Sequence, residues 1–125
     1  MLYFTVTPSA SMSLIYGNQR VTKTAPNACV VPDAASTFKT SDSTIYIWFQ
    51  AIVQANDRFI VSWRAPDSSV ANFVYGNLQP GTNYCALSLS YSIANLPASQ
   101  LGPWQVRLYD NATLLFTIPF VITGP

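Results

Sequence analysis

The side chains that could do chemistry in this sequence are few and of a narrow range of types. Charged residues make up 9% of the chain, all five acidic residues are Asp, and neither His nor Glu occurs. A Ser-His-Asp triad, a Cys-His pair, a His-ligated zinc site and a glutamate general base therefore cannot be built from this chain. We expect a protein that is not an enzyme and that uses no metal and no cofactor.

The Asp residues stand where turns are expected. Asp33 and Asp67 each follow a Pro. Asp57 joins two predicted strands, and Asp110 lies at the tip of a predicted hairpin. Paired carboxylates could do acid–base chemistry and Asp oxygens could bind Ca²⁺, but Asp in such positions commonly bonds the backbone of its own turn. We predict turn formation, not catalysis or metal binding.

The two cysteines, Cys29 and Cys85, are 56 positions apart and lack the close spacing of a metal site. We predict a disulfide between them, which in the chain-entropy model would stabilise the fold by about 4 kcal/mol. The alternative is two separate buried thiols, because free Cys packs as a small hydrophobe. Cys85 shares one side of its predicted strand with Leu87, Leu89 and Tyr91, so we expect it to face the core. A disulfide would indicate an extracellular compartment.

Charge and hydropathy limit the partners. Six Lys and Arg against five Asp give a net charge of +1, and no basic stripe is present for nucleic acid. No apolar run approaches the roughly 20 residues of a spanning helix, so we expect no membrane insertion. Residues 1–12 lack the basic start and continuous apolar block of a secretory signal. The abundant Ser, Thr, Asn and Gln still favour a secreted or cell-surface protein, whose signal peptide is not present in this chain.

Apolar and polar residues alternate with a period of two almost throughout, which is typical of β-strands. The pattern predicts an all-β, two-sheet antiparallel sandwich spanning residues 29–125. Residues 1–28 are predicted to be N-terminal edge strands or a linker from a preceding domain. The predicted strands are 44–53, 58–64, 70–75, 83–93 and a hairpin of 104–109 with 114–122. In the last strand, 114–122, the side chains predicted to face the core are those of Leu114, Phe116, Ile118, Phe120 and Ile122.

One strand face could bind a ligand. Tyr46, Trp48 and Gln50 share the face opposite the predicted core positions, and Arg107 with Tyr109 share the corresponding face of a later strand. Aromatic rings can stack on sugars while polar groups bond their hydroxyls, so these residues are candidates for a carbohydrate-binding face. The alternative is that this face is buried by the protein's own strands or by a neighbouring domain. Trp63 and Trp104 are predicted core anchors.

Several motifs resemble known sandwich modules. The segment 78–84, LQPGTNY, and the segment 61–66, VSWRAP, resemble local motifs of fibronectin type III domains. Over residues 29–123 the chain resembles immunoglobulin-like modules of secreted bacterial proteins. The shared features are Cys29-x-x-Pro32, Phe38, Trp48-Phe49, Trp63-x-x-Pro66, Cys85 and the run from Gly102 to Phe120. The resemblance implies an immunoglobulin-like sandwich and no catalytic residues.

The sequence therefore favours a non-enzymatic structural, spacer or adhesion module of a secreted or cell-surface protein. Its partners would be neighbouring domains or another protein. A carbohydrate-binding module is the first alternative. A viral or phage coat protein of the jelly-roll type is the second.

Overall fold

The computed structural model describes residues 13–25, 29–54, 57–75, 83–85 and 89–125. Within these ranges there are strands, turns and two single-turn 3-10 helices, Thr40–Asp42 and Ala98–Gln100, but no α-helix and hence no helix able to cross a membrane. The strands are β1 (Ser13–Thr22), β2 (Thr37–Lys39), β3 (Thr44–Ile52), β4 (Phe59–Arg64), β5 (Val70–Tyr75), β6 (Asn83–Cys85), β7 (Leu89–Ser92), β8 (Gly102–Asp110) and β9 (Thr113–Thr123). The predicted all-β class is confirmed.

The larger sheet has five strands in the order β2-β9-β8-β4-β5. The predicted hairpin is present as β8 and β9, and its turn places Asn111 at φ 54, a left-handed conformation that Asn tolerates. Most neighbours are antiparallel, but β2 and β9 are parallel. The prediction of a purely antiparallel sandwich is wrong at this pair. Three residues are too short a run for alternation to reveal a strand, so sequence periodicity does not predict β2.

The second sheet is built around β3. On one side β3 pairs with β1, and on the other it pairs with both β6 and β7. The prediction of a single strand over 83–93 corresponds to these two pieces, whose registers on β3 differ by one residue. Of the first 28 residues, β1 forms an edge strand of this sheet, whereas residues 1–12 and 26–28 lie outside the described residues.

The core lies between the two sheets. It consists of the inward side chains of β3, β4, β8 and β9, together with Val21, Phe38, Leu89 and Ile93 from the remaining elements. Aromatic rings from both sheets meet there. Tyr91 on β7 stacks on Trp63 of β4 with ring centroids 5.3 Å apart, and Phe120 lies 6.1 Å from the same Trp. These contacts join the sheets into one sandwich.

The first residues of β9 depart from the predicted alternation. A register shift lies in the β8–β9 ladder, because Leu108 pairs with Phe116 while Tyr109 pairs with Leu114. Such a bulge inserts one residue and turns the preceding positions to the other face. Leu114 is accordingly 47% exposed, so its predicted inward position is wrong. From Phe116 onward the predicted inward positions are partly or fully buried and pack on the core.

Candidate functional site

The five residues predicted to form one ligand-binding face lie on two different sheets. Tyr46, Trp48 and Gln50 belong to β3, whereas Arg107 and Tyr109 belong to β8. The residues that alternate with each group are core residues, so the two groups lie on opposite outer sides of the sandwich. The prediction of a single face is wrong. Alternation tells which residues of one strand share a side, but it does not tell which sheet contains the strand.

The β3 part of that predicted face does not offer an aromatic platform. Trp48 is 0% exposed although it lies outside the main core cluster. Tyr46 and Gln50 are partly exposed, and Asn18 Nδ2 donates to Gln50 Oε1 at 3.5 Å. A ring without accessible surface cannot stack on a sugar, so Trp48 is removed as a ligand-binding residue.

The other two tryptophans are packed inside the sandwich. Trp63 and Trp104 are 1% and 3% exposed. The Trp104 indole donates from Nε1 to the Gln100 carbonyl oxygen at 2.7 Å, which satisfies its one polar atom. Both residues have a packing role, because their large rings are buried, and the hydrogen bond of Trp104 leaves none of its polar atoms unsatisfied.

The outer side of the five-stranded sheet carries a regular array of side chains. Residues paired across neighbouring strands point to the same side, so the register defines rows that cross β5, β4, β8 and β9. The rows are Val70, Arg64, Gln105 and Pro119; Asn72, Ser62, Arg107 and Thr117; and Val74, Ile60, Tyr109 and Leu114. We call these residues the arginine face. It contains two guanidinium groups and no acidic side chain.

Arg64 and Arg107 are diagonal neighbours on this face. Arg64 Nε donates to Ser62 Oγ at 3.1 Å. Arg107 donates from Nη1 to Tyr109 Oη at 3.4 Å and from Nη2 to Gln105 Oε1 at 3.2 Å. Its Nε is buried and has no hydrogen-bond partner among the described residues. Among the described residues, the hydrogen-bond acceptors of both guanidinium groups are therefore neutral.

The two arginines change the pKa of the Tyr109 hydroxyl. The hydrogen bond from Arg107 lowers the pKa of the Tyr109 hydroxyl, and the positive charges of Arg64 and Arg107 act in the same direction, while partial burial opposes them. The sequence identifies Arg107 and Tyr109 as candidates but not Arg64. Alternation places Arg64 outward on β4, yet only strand pairing shows that β4 lies beside β8.

A cleft of about 660 Å³ opens on the arginine face, a volume typical of ligand sites. We call it the arginine cleft. Arg64, Arg107 and Gln105 contribute polar groups, and Val70, Pro119 and Val121 contribute apolar walls. Trp104 and Phe120 also border it, but each is only 3% exposed, so neither presents a ring face to the cleft.

No Asp is among the residues that line this cleft, and four of the five Asp side chains accept a hydrogen bond from the backbone. Asp42 accepts from the Lys39 N–H at 2.8 Å, and Asp67 accepts from the Ser69 N–H at 2.9 Å. The backbone N–H bond and the Lys23 ammonium lower the pKa of Asp42. The remaining bonds of this kind are Gln54 N–H to Asp57 at 2.6 Å and Arg58 N–H to Asp110 at 3.3 Å. Among the described residues no cluster of metal-ligating side chains is found.

Cys29 lies in an exposed turn immediately before Val30. The backbone of Cys85 belongs to β6 and pairs with Gln50 of β3. The side chain of Cys85 lies outside the described residues, so its inward orientation and the predicted disulfide stay predictions.

The strand order, in which the edge strand β2 runs parallel to the C-terminal strand β9, can be compared with solved structures. A crystal structure of an immunoglobulin-like protein from Pseudomonas aeruginosa superposes with a TM-score of 0.59 and covers 94% of this chain and 100% of that chain. The fold is immunoglobulin-like. The sequence identity between the two proteins is 11%, so the likeness concerns the immunoglobulin-like fold alone. No family model matches the sequence, and no curated protein is similar to it at a significant level.

Proposed function

We propose that this chain is a non-enzymatic adhesion module of a secreted or cell-surface protein and that it contacts a partner protein through the arginine face. The immunoglobulin-like fold suits this role, because such sandwiches commonly present a rigid sheet surface without a catalytic centre. The backbone bonds made by Asp42, Asp57, Asp67 and Asp110 support a turn-forming role for these carboxylates.

The observation that carries the proposal is the exposure of apolar side chains around the two arginines. Val70, Val74 and Leu114 are 46%, 51% and 47% exposed and lie on the arginine face. Val121 is a fourth exposed apolar residue beside the arginine cleft. Exposed apolar side chains grouped with polar ones on one surface are typical of the sites at which soluble proteins interact. Arginine within such a surface is typical of protein interfaces.

An extracellular location is supported by composition and by the cysteines. Charged residues make up only 9% of the chain. None of the described residues is a free cysteine, which favours the proposed bridge from Cys29 to Cys85. Disulfides persist in secreted and surface proteins, where the redox environment is oxidising.

The two alternative functions, a carbohydrate-binding module and a jelly-roll coat protein, fit the structure less well. A carbohydrate-binding face on β3 needs the ring of Trp48, which has no exposed surface. A jelly-roll coat protein needs a different arrangement of strands from the immunoglobulin-like one found here.

Surface display tests the adhesion role. The chain is displayed on a non-adherent bacterium, and its retention on bacterial and animal cell layers is measured under flow. The double variant Val70→Ser/Val74→Ser removes exposed apolar area from the arginine face. Ile52→Ser is the matched control, because Ile52 is 36% exposed on the other sheet.

We expect adherence by the displayed protein, loss of most of it in the double variant and retention in the control. If bacteria that display the chain adhere no better than bacteria that do not, the adhesion role is contradicted and a spacer role is the remaining interpretation. Equal loss in both variants would contradict the assignment to the arginine face.

A further inference from the structure

We propose that the arginine cleft binds an acidic segment of a partner protein, with Arg64 and Arg107 receiving its carboxylates. This inference rests on the proposed adhesion function and names the chemistry of the partner. Three features of the molecule support it, namely the charge of the arginine face, the bonding of its guanidinium groups and the shape of the cleft.

Among the described residues, no carboxylate pairs with the positive charge of the arginine face. All five Asp residues belong to the described part of the structure, and none makes an ion pair with Arg64 or Arg107. The ion pair between Lys23 and Asp42, at 3.4 Å, involves other parts of the fold. Two like charges placed diagonally on adjacent strands repel each other, and an anion between them would remove that repulsion.

The guanidinium of Arg107 is poorly satisfied. Its bonds of 3.4 and 3.2 Å to Tyr109 and Gln105 are longer than the 2.7–2.9 Å typical of a charged donor with a carboxylate. Its Nε is buried and has no hydrogen-bond partner in the part of the chain that the structure describes. A buried unsatisfied donor is uncommon in folded proteins and calls for an explanation. A carboxylate arriving at this group would replace weak neutral contacts by charge-assisted bonds.

The walls of the cleft favour a peptide over a sugar acid. Val70, Pro119 and Val121 provide small apolar surfaces beside the two arginines. The large rings that border the cleft, Trp104 and Phe120, are buried and cannot stack on a pyranose. An extended chain that alternates carboxylate and aliphatic side chains matches both features of this surface. Complementary charge also speeds association with such a segment and directs it to this face.

Fluorescence anisotropy with defined probes tests the inference. The probes are a labelled peptide of alternating Glu and Val, the matching Gln and Val peptide, and a labelled oligogalacturonate. The protein is used as wild type and as Arg64→Gln, Arg107→Gln and their double variant. The control is Arg58→Gln, which removes one exposed positive charge outside the residues that line the cleft.

We expect the Glu-Val peptide to bind the wild type and the Arg58→Gln control, with affinity that decreases as salt is added. Each cleft variant should bind about tenfold more weakly, and the double variant more weakly still. The Gln-Val peptide should not bind measurably. Thermal unfolding of every variant verifies that the fold is retained.

Four results would overturn the inference. They are failure of the Glu-Val peptide to bind, equal loss of affinity in Arg58→Gln and Arg107→Gln, equal binding of the neutral peptide, and tighter binding of the oligogalacturonate than of the Glu-Val peptide. The adhesion measurement on Val70 and Val74 is independent of these titrations. If it succeeds while the peptide fails to bind, the adhesion function stands and only the acidic partner is wrong.

Discussion

Trp104 and Phe120 are direct partners on β8 and β9, and their rings lie 6.1 Å apart with planes inclined by 22°. Tyr91, from the other sheet, lies 5.8 Å from the ring of Trp104 and 5.3 Å from that of Trp63. The four rings therefore form a continuous cluster that holds the two sheets together beneath the arginine cleft. Packing of this kind fixes the backbone of β8, which positions Arg107 on the outer side.

The aromatic cluster predicts the result of truncating Trp104. Trp104→Ala should lower the free energy of unfolding by about 3 to 5 kcal/mol, because a buried ring is removed and a cavity is left. Trp104→Phe keeps a ring and loses the bond to the Gln100 carbonyl, so its loss should be smaller. Chemical denaturation followed by near-UV circular dichroism measures both. A loss below about 1 kcal/mol for the Ala variant would show that Trp104 is not a core anchor.

Much of the fold could be predicted because the period of two persists through the chain. The strands β3, β4 and β5 lie where alternation places them, and the β8–β9 hairpin is signalled by Asp110 and Asn111 between two alternating runs. The bulge at Leu114 could not be predicted, since an inserted residue leaves no mark in a run of apolar residues. The strand β2 could not be predicted either, because its three residues are too few for alternation to be recognised.

The candidate site was harder to predict than the fold. Arg107 and Tyr109 point outward by alternation, and this much is correct. Their neighbours depend on strand order, which brings Arg64 beside Arg107 and separates both from Tyr46 and Trp48. Strand order is a property of long-range pairing, and nothing in the local sequence of β4 or β8 specifies it.

The predicted bridge between Cys29 and Cys85 has a measurable effect on stability. Excess reductant should lower the free energy of unfolding by about 4 kcal/mol, because a long loop is no longer closed in the unfolded chain. Cys29→Ser/Cys85→Ser should match the reduced protein and should not respond to reductant. Denaturant unfolding with and without reductant measures this, and proteolysis under non-reducing conditions identifies the joined peptides. Identical unfolding midpoints would rule out a stabilising disulfide.

Acid should weaken the fold through Asp42 and Asp67. The backbone N–H of Lys39 lowers the pKa of the Asp42 carboxyl, and the hydroxyl of Ser69, followed by its backbone N–H, lowers the pKa of the Asp67 carboxyl. A lowered pKa in the folded state gives stability that is present above the unfolded value of about 3.9 and is lost as the pH falls through the lowered folded value. Urea unfolding midpoints measured through this acidic range should therefore decrease.

Single variants separate this effect from general acid unfolding. Asp42→Asn and Asp67→Asn should each be less stable than the wild type at neutral pH and less sensitive to acid. Asp33→Asn is the control, because Asp33 is exposed and lies outside the turns that contain Asp42 and Asp67. An unchanged slope with pH in both test variants would refute the assignment.

Alkaline titration of Tyr109 reports directly on the electrostatics of the arginine face. The hydrogen bond from Arg107 lowers the pKa of the Tyr109 hydroxyl, with a further contribution from the charge of Arg64. Arg107→Gln removes the donor and a charge, so the pKa of Tyr109 should rise toward its ordinary value of about 10. Because the chain has seven Tyr, the ultraviolet phenolate signal of Tyr109 is obtained as the difference from Tyr109→Phe.

The sign of the accompanying stability change follows from the same shift. A hydroxyl whose pKa is lower in the folded state releases its proton first in that state, so stability increases with pH between the folded and the unfolded values. That increase should be absent in Tyr109→Phe and reduced in Arg107→Gln. Binding of the Glu-Val peptide should also raise the pKa of Tyr109, because the arriving carboxylates offset the arginine charges that lower it. A Tyr109 titration that is insensitive to both Arg107→Gln and the peptide would show that the two residues do not act on each other in solution.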